Sequence, residues 1–316
     1  MSVKTIYKLF GNQEIINQKE TVSFTIGNFD GVHAGHVYLI DQLKKLNAGI
    51  PIAILTFHPH PVSFFSPKNP KTLLSTLEDK VSLLLKIGVD VVVVQQFDND
   101  FASLSSDEFC MWLKNNFNIY SVIIGHDFQY GKQRKGDFAH MKNFASKENW
   151  KIVQIPAFKM LDGQVVSSSL IRGALTCGDV EEVEKFLTRP YCLPGIVVKG
   201  DQRGRLIGFP TANIQLDDIL VIPRYGVYAC LVEIESNGVL LPSVMNCGVR
   251  PTIASGLKLQ IEAHILDFSQ EIYGSRVRFH VKKFIRGEMK FENLDELKQQ
   301  IGKDVLLASQ YFSINN

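Results

Sequence analysis

Two histidines three residues apart, His33 and His36, lie in the glycine-punctuated stretch Gly27-Asn28-Phe29-Asp30-Gly31-Val32-His33-Ala34-Gly35-His36. The residues before it, Thr21 to Ile26, alternate as in a half-buried strand, and those after it, Val37 to Leu46, carry helical periodicity. Both imidazoles therefore belong on one side of a helix start. The free N–H groups and positive dipole end there favour an anion. Gly27, Gly31 and Gly35 let the backbone approach a ligand closely. In outline this is a nucleotide-phosphate site. It is not a P-loop, because no Gly-Lys-Ser/Thr follows, and a His-x-x-His pair taken alone also suits a metal ion. A second chemical stretch runs from Lys199 to Ile214, with glycines at 200, 204 and 208 that permit a phosphate-hugging loop of backbone N–H groups. Thr211 and Asn213, two apart, face one side of an extended segment and offer oxygen ligands suited to Mg²⁺. Glu262 alternates with Ile261, Ala263 and Ile265, which by itself describes the wet face of a strand.

The elements that must carry these residues fall into two groups. Up to about residue 185, apolar runs at 21–27, 51–57, 89–95, 120–124 and 151–155 read as strands covered on both faces. Helical patterns near 36–47, 76–87, 105–117 and 138–148 alternate with them, and Ser75/Glu78 and Ser105/Glu108 have capping-box spacing. This pattern predicts an α/β Rossmann-like domain with a parallel doubly wound sheet, ligands lying at the carboxyl ends of its strands. Beyond Arg189-Pro190-Tyr191, β-rich segments at 191–199, 226–235, 239–247, 260–266 and 276–285 predict a small antiparallel barrel. An amphipathic helix from Leu294 to Tyr311 is expected to cover one end of it. The boundary is placed at 187/188.

With 316 residues, 45% of them hydrophobic, the chain can build two cores. A net charge of +2 argues against a broad nucleic-acid surface. Five scattered cysteines without a C-x-x-C pair suggest free thiols in a reducing compartment. No signal-peptide core is visible, and the apolar run from Val89 to Val94 is far too short to span a bilayer. A soluble cytoplasmic protein, monomeric or weakly self-associating, without nucleic-acid or membrane partners, is the expectation.

The first stretch resembles the His-x-Gly-His signature of the nucleotidyltransferase superfamily. Its Gly-Asn-Phe-Asp-Gly-Val-His preamble resembles the bacterial bifunctional riboflavin kinase/FAD synthetases. Two further clusters agree in order. Gly125-His126-Asp127-Phe128-Gln129-Tyr130-Gly131 resembles a Gly-x-Asp-Phe-x-Phe-Gly segment of that family, with Tyr130 for the second aromatic. Asp127, Phe128 and Tyr130 are thereby implied at a flavin; as bare sequence they are an Asx-turn with two aromatics in a local core. Ser167-Ser168-Ser169-Leu170-Ile171-Arg172 resembles the Ser-Ser-Thr/Ser-x-x-Arg motif, with Ser169 keeping the hydroxyl. Its serines can cap a helix or bind phosphate, and Arg172 offers a forked donor. His58 and His60 end the second strand near the implied nucleotide, with no chemical step assigned to them, and the basic loop 131–137 is either a pyrophosphate contact or a solvated charged loop.

Gly208-Phe209-Pro210-Thr211-Ala212-Asn213 looks like the riboflavin kinase signature, and the segments around Asn246, Arg250 and Glu262 match that family in order. The resemblance implies Glu262 as general base, Thr211 and Asn213 as Mg²⁺ ligands, and Asn246, Arg250 and Arg286 at the flavin. Arg286-Gly287-Glu288 is otherwise an exposed turn. In the first module it implies Gly27, Phe29, Asp30, Gly31, His33, His36, Ser167, Ser168, Ser169 and Arg172 around the nucleotide, with His33, His36 and Arg172 acting on the transferred phosphate. Gly200, Gly204 and Gly208 complete the second nucleotide site. The implied activity is phosphorylation of riboflavin by ATP to FMN, then adenylylation of FMN to FAD with release of pyrophosphate. The rivals are a chain with one working module, a non-catalytic flavin sensor, and an adenylyltransferase for another phosphorylated compound.

Overall fold

The computed structural model describes residues 5–9, 20–47, 49–67, 72–200, 204, 207–216, 220–235, 238–252 and 256–314, with backbone alone at 5–9, 250–252 and 256–258. The chain divides into two compact units, Met1–Ser167 and Ser168–Asn316.

In the first unit, β1 (Thr5–Leu9), β2 (Thr21–Ile26), β3 (Ile52–His58), β4 (Val91–Gln96), β5 (Asn118–Gly125) and β6 (Lys151–Ile155) form one sheet in the order β1-β4-β3-β2-β5-β6. Every ladder in it is parallel. The five strands expected from the apolar runs are present, and β1 adds a sixth at the edge. The helices are α1 (Ala34–Leu46), α2 (Pro61–Phe65), α3 (Leu77–Lys86), α4 (Asn99–Ser103), α5 (Ser106–Asn116) and α6 (Phe138–Lys147). Alternate residues of β3, β4 and β5 feed opposite cores. Phe24, Ala53, Leu55 and Val93 pack with Phe109, Leu113 and Met141 of α5 and α6. Ile52, Ile54, Val92 and Val94 pack with Ile40 and Leu43 of α1 and Val81 and Leu84 of α3. Burial on both faces is why these strands read as continuous apolar runs. The chain winds outward from β2 in one direction and from β5 in the other, so the switch point lies between their carboxyl ends.

Ser105 and Glu108 form the expected capping box, with Glu108 N–H to Ser105 Oγ at 3.2 Å and Ser105 N–H to Glu108 Oε2 at 2.7 Å. The Ser75/Glu78 box does not form. Thr76 caps α3 instead, accepting from Asp79 N–H at 3.0 Å, and Ser75 Oγ accepts from Gly31 N–H at 3.2 Å. Two adjacent hydroxyls were available for one cap, and the loop that bears the histidines took the other.

The second unit opens with α7 (Ser168–Cys177) and α8 (Val180–Leu187). A closed antiparallel barrel follows: β7 (Tyr191–Val198), β8 (Ala212–Leu216), β9 (Gly226–Ile234), β10 (Leu240–Thr252), β11 (Gly256–Ile265) and β12 (Arg276–Gly287), ordered β10-β11-β8-β7-β12-β9. Strand β8, short and beginning two residues after Pro210, is the one the pattern did not reveal. The compact units part earlier than the 187/188 boundary because α7 and α8 lie on the barrel. Lys282 pairs with Glu184 at 2.6 Å and Lys283 with Glu181 at 3.3 Å, while Arg224 N–H donates to Leu175 O at 2.9 Å.

The last helix, Leu294–Ile314, lays Ala308 and Phe312 on Val227, Ala229 and Val244. These alternate with the interior residues Tyr228, Cys230 and Met245, so the helix covers the outward side of β9 and β10 rather than an end. Arg286 fastens it. Its Nε donates to Asp304 Oδ1 at 2.9 Å and its Nη2 to Oδ2 at 2.7 Å. Asp304 is 1% exposed, and removing one partner of a buried pair strands the other charge. Arg286→Ala is expected to lower the stability of this unit by about 3 kcal/mol, read as a shift in its urea midpoint by circular dichroism.

Candidate functional site

The His33–His36 stretch leaves the carboxyl end of β2, on the switch point. The loop between strand and helix holds three left-handed residues, Phe29 (φ 49), Gly31 (φ 81) and Val32 (φ 40). A β-branched residue there is strained, and such strain persists only where the surroundings fix it. The surroundings do. Leu74 N–H donates to Asp30 Oδ1 at 2.9 Å, Gly31 N–H donates to Ser75, and Thr56 Oγ1 donates to Asn28 O at 3.1 Å. His33 is the N-cap of α1, its N–H reaching His36 Nδ1 at 3.2 Å. The two rings stack with centroids 3.6 Å apart. Gly35 makes room, since a Cβ there would stand 3.1 Å from the His33 ring. Phe29 is buried, its ring against Gly27 and 5.0 Å from that of His36, so it braces the motif from the core.

Across the switch point, Gly125 ends β5. Asp127 turns its carboxylate to solvent, and Phe128 stacks on Tyr130 at 5.5 Å between centroids. The Tyr130 ring is buried, and its hydroxyl lies 2.6 Å from His140 Nδ1 and 3.3 Å from Cys110 Sγ. Burial pushes that phenol well above its ordinary range. The basic loop after it is a closed turn: Tyr130 and Gly136 exchange backbone hydrogen bonds, and Lys132, Arg134 and Lys135 face solvent. His60 caps α2 through Nδ1, accepting from Val62 N–H at 3.1 Å, while His58 is exposed. Ser167 closes the first unit and Ser168 opens α7, one turn before Arg172, whose Nη1 donates to Ser168 O at 3.0 Å. Ser169 follows in the first turn of that helix.

In the barrel, Asn246, Glu262 and Asn213 are direct partners across β10, β11 and β8. They form one row on the outward face, because their neighbours Met245, Cys247, Ile261, Ala263 and Ile214 are buried inside. Gln260 extends the row, donating from Nε2 to Glu262 Oε1 at 2.6 Å. Gly200 lies over Asn213, whose amide is 2.2 Å from where a Cβ would be; at Gly204 a Cβ would meet Phe209 O at 2.2 Å and Thr211 Oγ1 at 3.3 Å. Gly208 has φ 89. His264, two past Glu262 on the same face, bonds Pro210 O through Nδ1 at 2.8 Å and so anchors the segment carrying Thr211. Glu288 reaches over Gly248, its Oε1 2.3 Å from a Cβ position there. Arg286 is committed to Asp304. The Arg250 side chain, and residues 201–203, 205 and 206, lie outside the described residues.

Residues 15–170 match the FAD synthetase family model and residues 187–312 the riboflavin kinase model. A bifunctional riboflavin kinase/FMN adenylyltransferase of Bacillus subtilis is 38% identical over 98% of this chain and 99% of its own. The protein of that name in Haemophilus influenzae is 42% identical over 92% of this chain and 94% of its own. The chain belongs to the bifunctional riboflavin kinase/FMN adenylyltransferase family. A solved structure from Streptococcus pneumoniae, described as a macrolide-efflux protein, superposes with a TM-score of 0.83 at 30% identity, covering 94% of this chain and 98% of its own. Among the described residues of this family member, no helix is long and apolar enough to cross a membrane.

Sequence reasoning missed the supports of both sites in this riboflavin kinase/FMN adenylyltransferase. Gln260 and His264 share the period-2 face of Glu262 and could have been found from that alone. Lys80 carried a clearer signal. It falls among Leu77, Val81 and Leu84 on the apolar face of α3, where an ammonium needs partners. It is 7% exposed, and burial lowers its pKa from 10.5 to about 8, with Asp30 opposing. The folded form thus releases this proton near pH 8 while the unfolded chain keeps it to 10.5. The unfolded state binds more protons in that window, so this group makes stability rise with pH across it. Relative to Lys80→Met, the wild type is expected to gain about 3 kcal/mol between those limits, measured by urea unfolding followed through Trp112 and Trp150.

Proposed function

We propose that the chain converts riboflavin to FMN and FMN to FAD, with kinase chemistry in the barrel and adenylyl transfer at the switch point of the first unit. The functional division is placed at 187/188. The observation that carries this reading is the row Asn213–Glu262–Asn246, a carboxylate flanked in register by two amides, with Gly200 letting the backbone close onto the Asn213 amide.

In the kinase step, Glu262 takes the proton of the ribityl 5′-hydroxyl as that oxygen attacks the γ-phosphorus of ATP and ADP leaves. The donor set beside it fits Mg²⁺: the Thr211 hydroxyl, just before β8, and the Asn213 amide, on it, are hard neutral oxygens that lie against Gly204 and Gly200. Thr211 and Asn213 would hold that ion, which supplies charge neutralisation on the phosphates. Asn246 and Arg250 contact the flavin, and Gly200, Gly204 and Gly208 the nucleotide. In the adenylyl step, an FMN phosphate oxygen attacks the α-phosphorus of a second ATP and pyrophosphate leaves. The nucleophile is already anionic, so no strong base is required. His33, His36 and the α1 N-terminus neutralise charge on the phosphate oxygens. Ser167 adds a hydroxyl donor, and Asp127 and Phe128 line the flavin side. Tyr130 acts from beneath, because its hydroxyl is taken up by His140 and Cys110.

The experiment is chromatography of the flavins after incubation of purified protein with riboflavin, ATP and Mg²⁺. FMN appearing first and FAD after it is the expected result. FMN without FAD confines catalysis to the barrel unit, and unchanged riboflavin with folded protein overturns the reading.

A further inference from the structure

Lys80 is the buried cation beneath the histidine loop. Its Nζ donates to Asn28 O at 3.2 Å and to Thr56 Oγ1 at 3.0 Å, and Thr56 Oγ1 donates in turn to that same carbonyl. The carbonyl so held belongs to the residue just before the left-handed stretch Phe29–Val32 that delivers His33 to the α1 N-terminus. An apolar side chain would fill the position at less cost, since burying an ammonium opposes folding unless its partners compensate. We propose that Lys80 is a positioning residue for adenylyl transfer, holding the Asn28 carbonyl, and through it the histidine loop, in the geometry the reaction needs. This rests on the reading of the first unit as the adenylyltransferase.

The arrangement explains a local conflict. Three left-handed residues in four tend to relax, and relaxation would move the N-cap and both imidazoles together. Asp30 and Gly31 are tied to Leu74 and Ser75 downstream of the strain, and Asn28 is tied to Thr56 and Lys80 upstream of it. The loop is therefore clamped downstream by the segment before α3 and upstream by β3 and α3. The upstream clamp is the Lys80 ammonium, donating to a carbonyl, with Asp30 favouring its charged form. Loss of this clamp lets the phosphate-contacting groups drift by fractions of an ångström, which transition-state geometry does not tolerate.

The test is Lys80→Met in the full chain, assayed for FAD formation from FMN, ATP and Mg²⁺, with riboflavin phosphorylation as the internal control. The expected result is a kcat for adenylylation lower by roughly 10- to 100-fold, KM for FMN within about twofold, and kinase rate unchanged. The thermal midpoint of the first unit, followed through its tryptophans, is expected to hold or rise. That split separates positioning from mere support. An unchanged kcat overturns the proposal, and so does a fall in kcat accompanied by an equal loss in Val89→Ala, a core variant of the same unit. Should Lys80→Met not fold, Thr56→Val removes the hydroxyl bonded to both Lys80 and Asn28, and a kcat lower by roughly threefold or more is expected; a wild-type value overturns the proposal. Wild-type protein that makes no FAD from FMN instead refutes the adenylyltransferase reading itself.

Discussion

Glu262→Gln is expected to abolish riboflavin phosphorylation, by roughly 10²- to 10⁴-fold, while supplied FMN is still converted to FAD at the wild-type rate. The amide keeps the size and most hydrogen bonds of the carboxylate and removes only its capacity to take a proton. The nucleophile in this step is a neutral alcohol, so its proton must go somewhere as the oxygen attacks phosphorus. Glu262 is held for that task. It lies between Asn213 and Asn246 in register, and Gln260 donates to Oε1 at 2.6 Å, fixing the plane of the carboxyl group. Folding is not at stake, because the side chain lies on the outward face while Ile261 and Ala263 fill the interior. The measurement is flavin chromatography with two starting substrates, riboflavin and FMN. Kinase activity retained with riboflavin removes Glu262 from the role.

The parallel sheet and the barrel were legible because burial leaves a pattern. Strands buried on both faces read as apolar runs, and the barrel strands alternate about an interior. β8 was not legible as a strand, although Thr211 and Asn213 were seen to share a side, because five residues give too short a period. The Ser75/Glu78 spacing misled for a related reason: capping chemistry is local, and nothing local says that Ser75 is claimed by Gly31, 44 residues away in the chain. Among site residues, the glycine positions and the alternation that sets Glu262 apart from Ile261 and Ala263 were visible in the string. What was hidden is the layer behind them. Lys80, Thr56 and His264 act through partners that only the fold brings near, whereas Gln260 acts on Glu262, two residues on. The same holds for Arg286, whose motif pointed to a ligand and whose guanidinium is occupied by Asp304. Tyr130 shows the converse. Its ring position was legible, while the hydroxyl that distinguishes it is spent on Cys110 and His140 in the core.

His36→Ala completes the dissection from the other side. FAD formation is expected to fall by roughly 10²- to 10³-fold, while FMN formation from riboflavin proceeds and FMN accumulates. His36 is in the first turn of α1, where its Nδ1 accepts the His33 N–H and its ring stacks on His33. Alanine is favourable in a helix, which offsets part of the lost ring contacts and of the cap-like hydrogen bond, the latter worth about 1 kcal/mol, and the unit is expected to stay folded. The catalytic loss is larger because the imidazole acts where charge develops. Adenylyl transfer from ATP has an anionic nucleophile and an anionic leaving group, so the protein's task is neutralisation and alignment rather than proton removal. A helix N-terminus alone supplies partial charge; the histidine supplies a directed donor beside it. The two variants therefore fail at different products, Glu262→Gln before FMN and His36→Ala after it. Mixing them in one tube restores FAD from riboflavin if released FMN passes between molecules. Near-normal adenylylation by His36→Ala would show that the helix start and the remaining donors suffice, and that the second imidazole is a cap and nothing more.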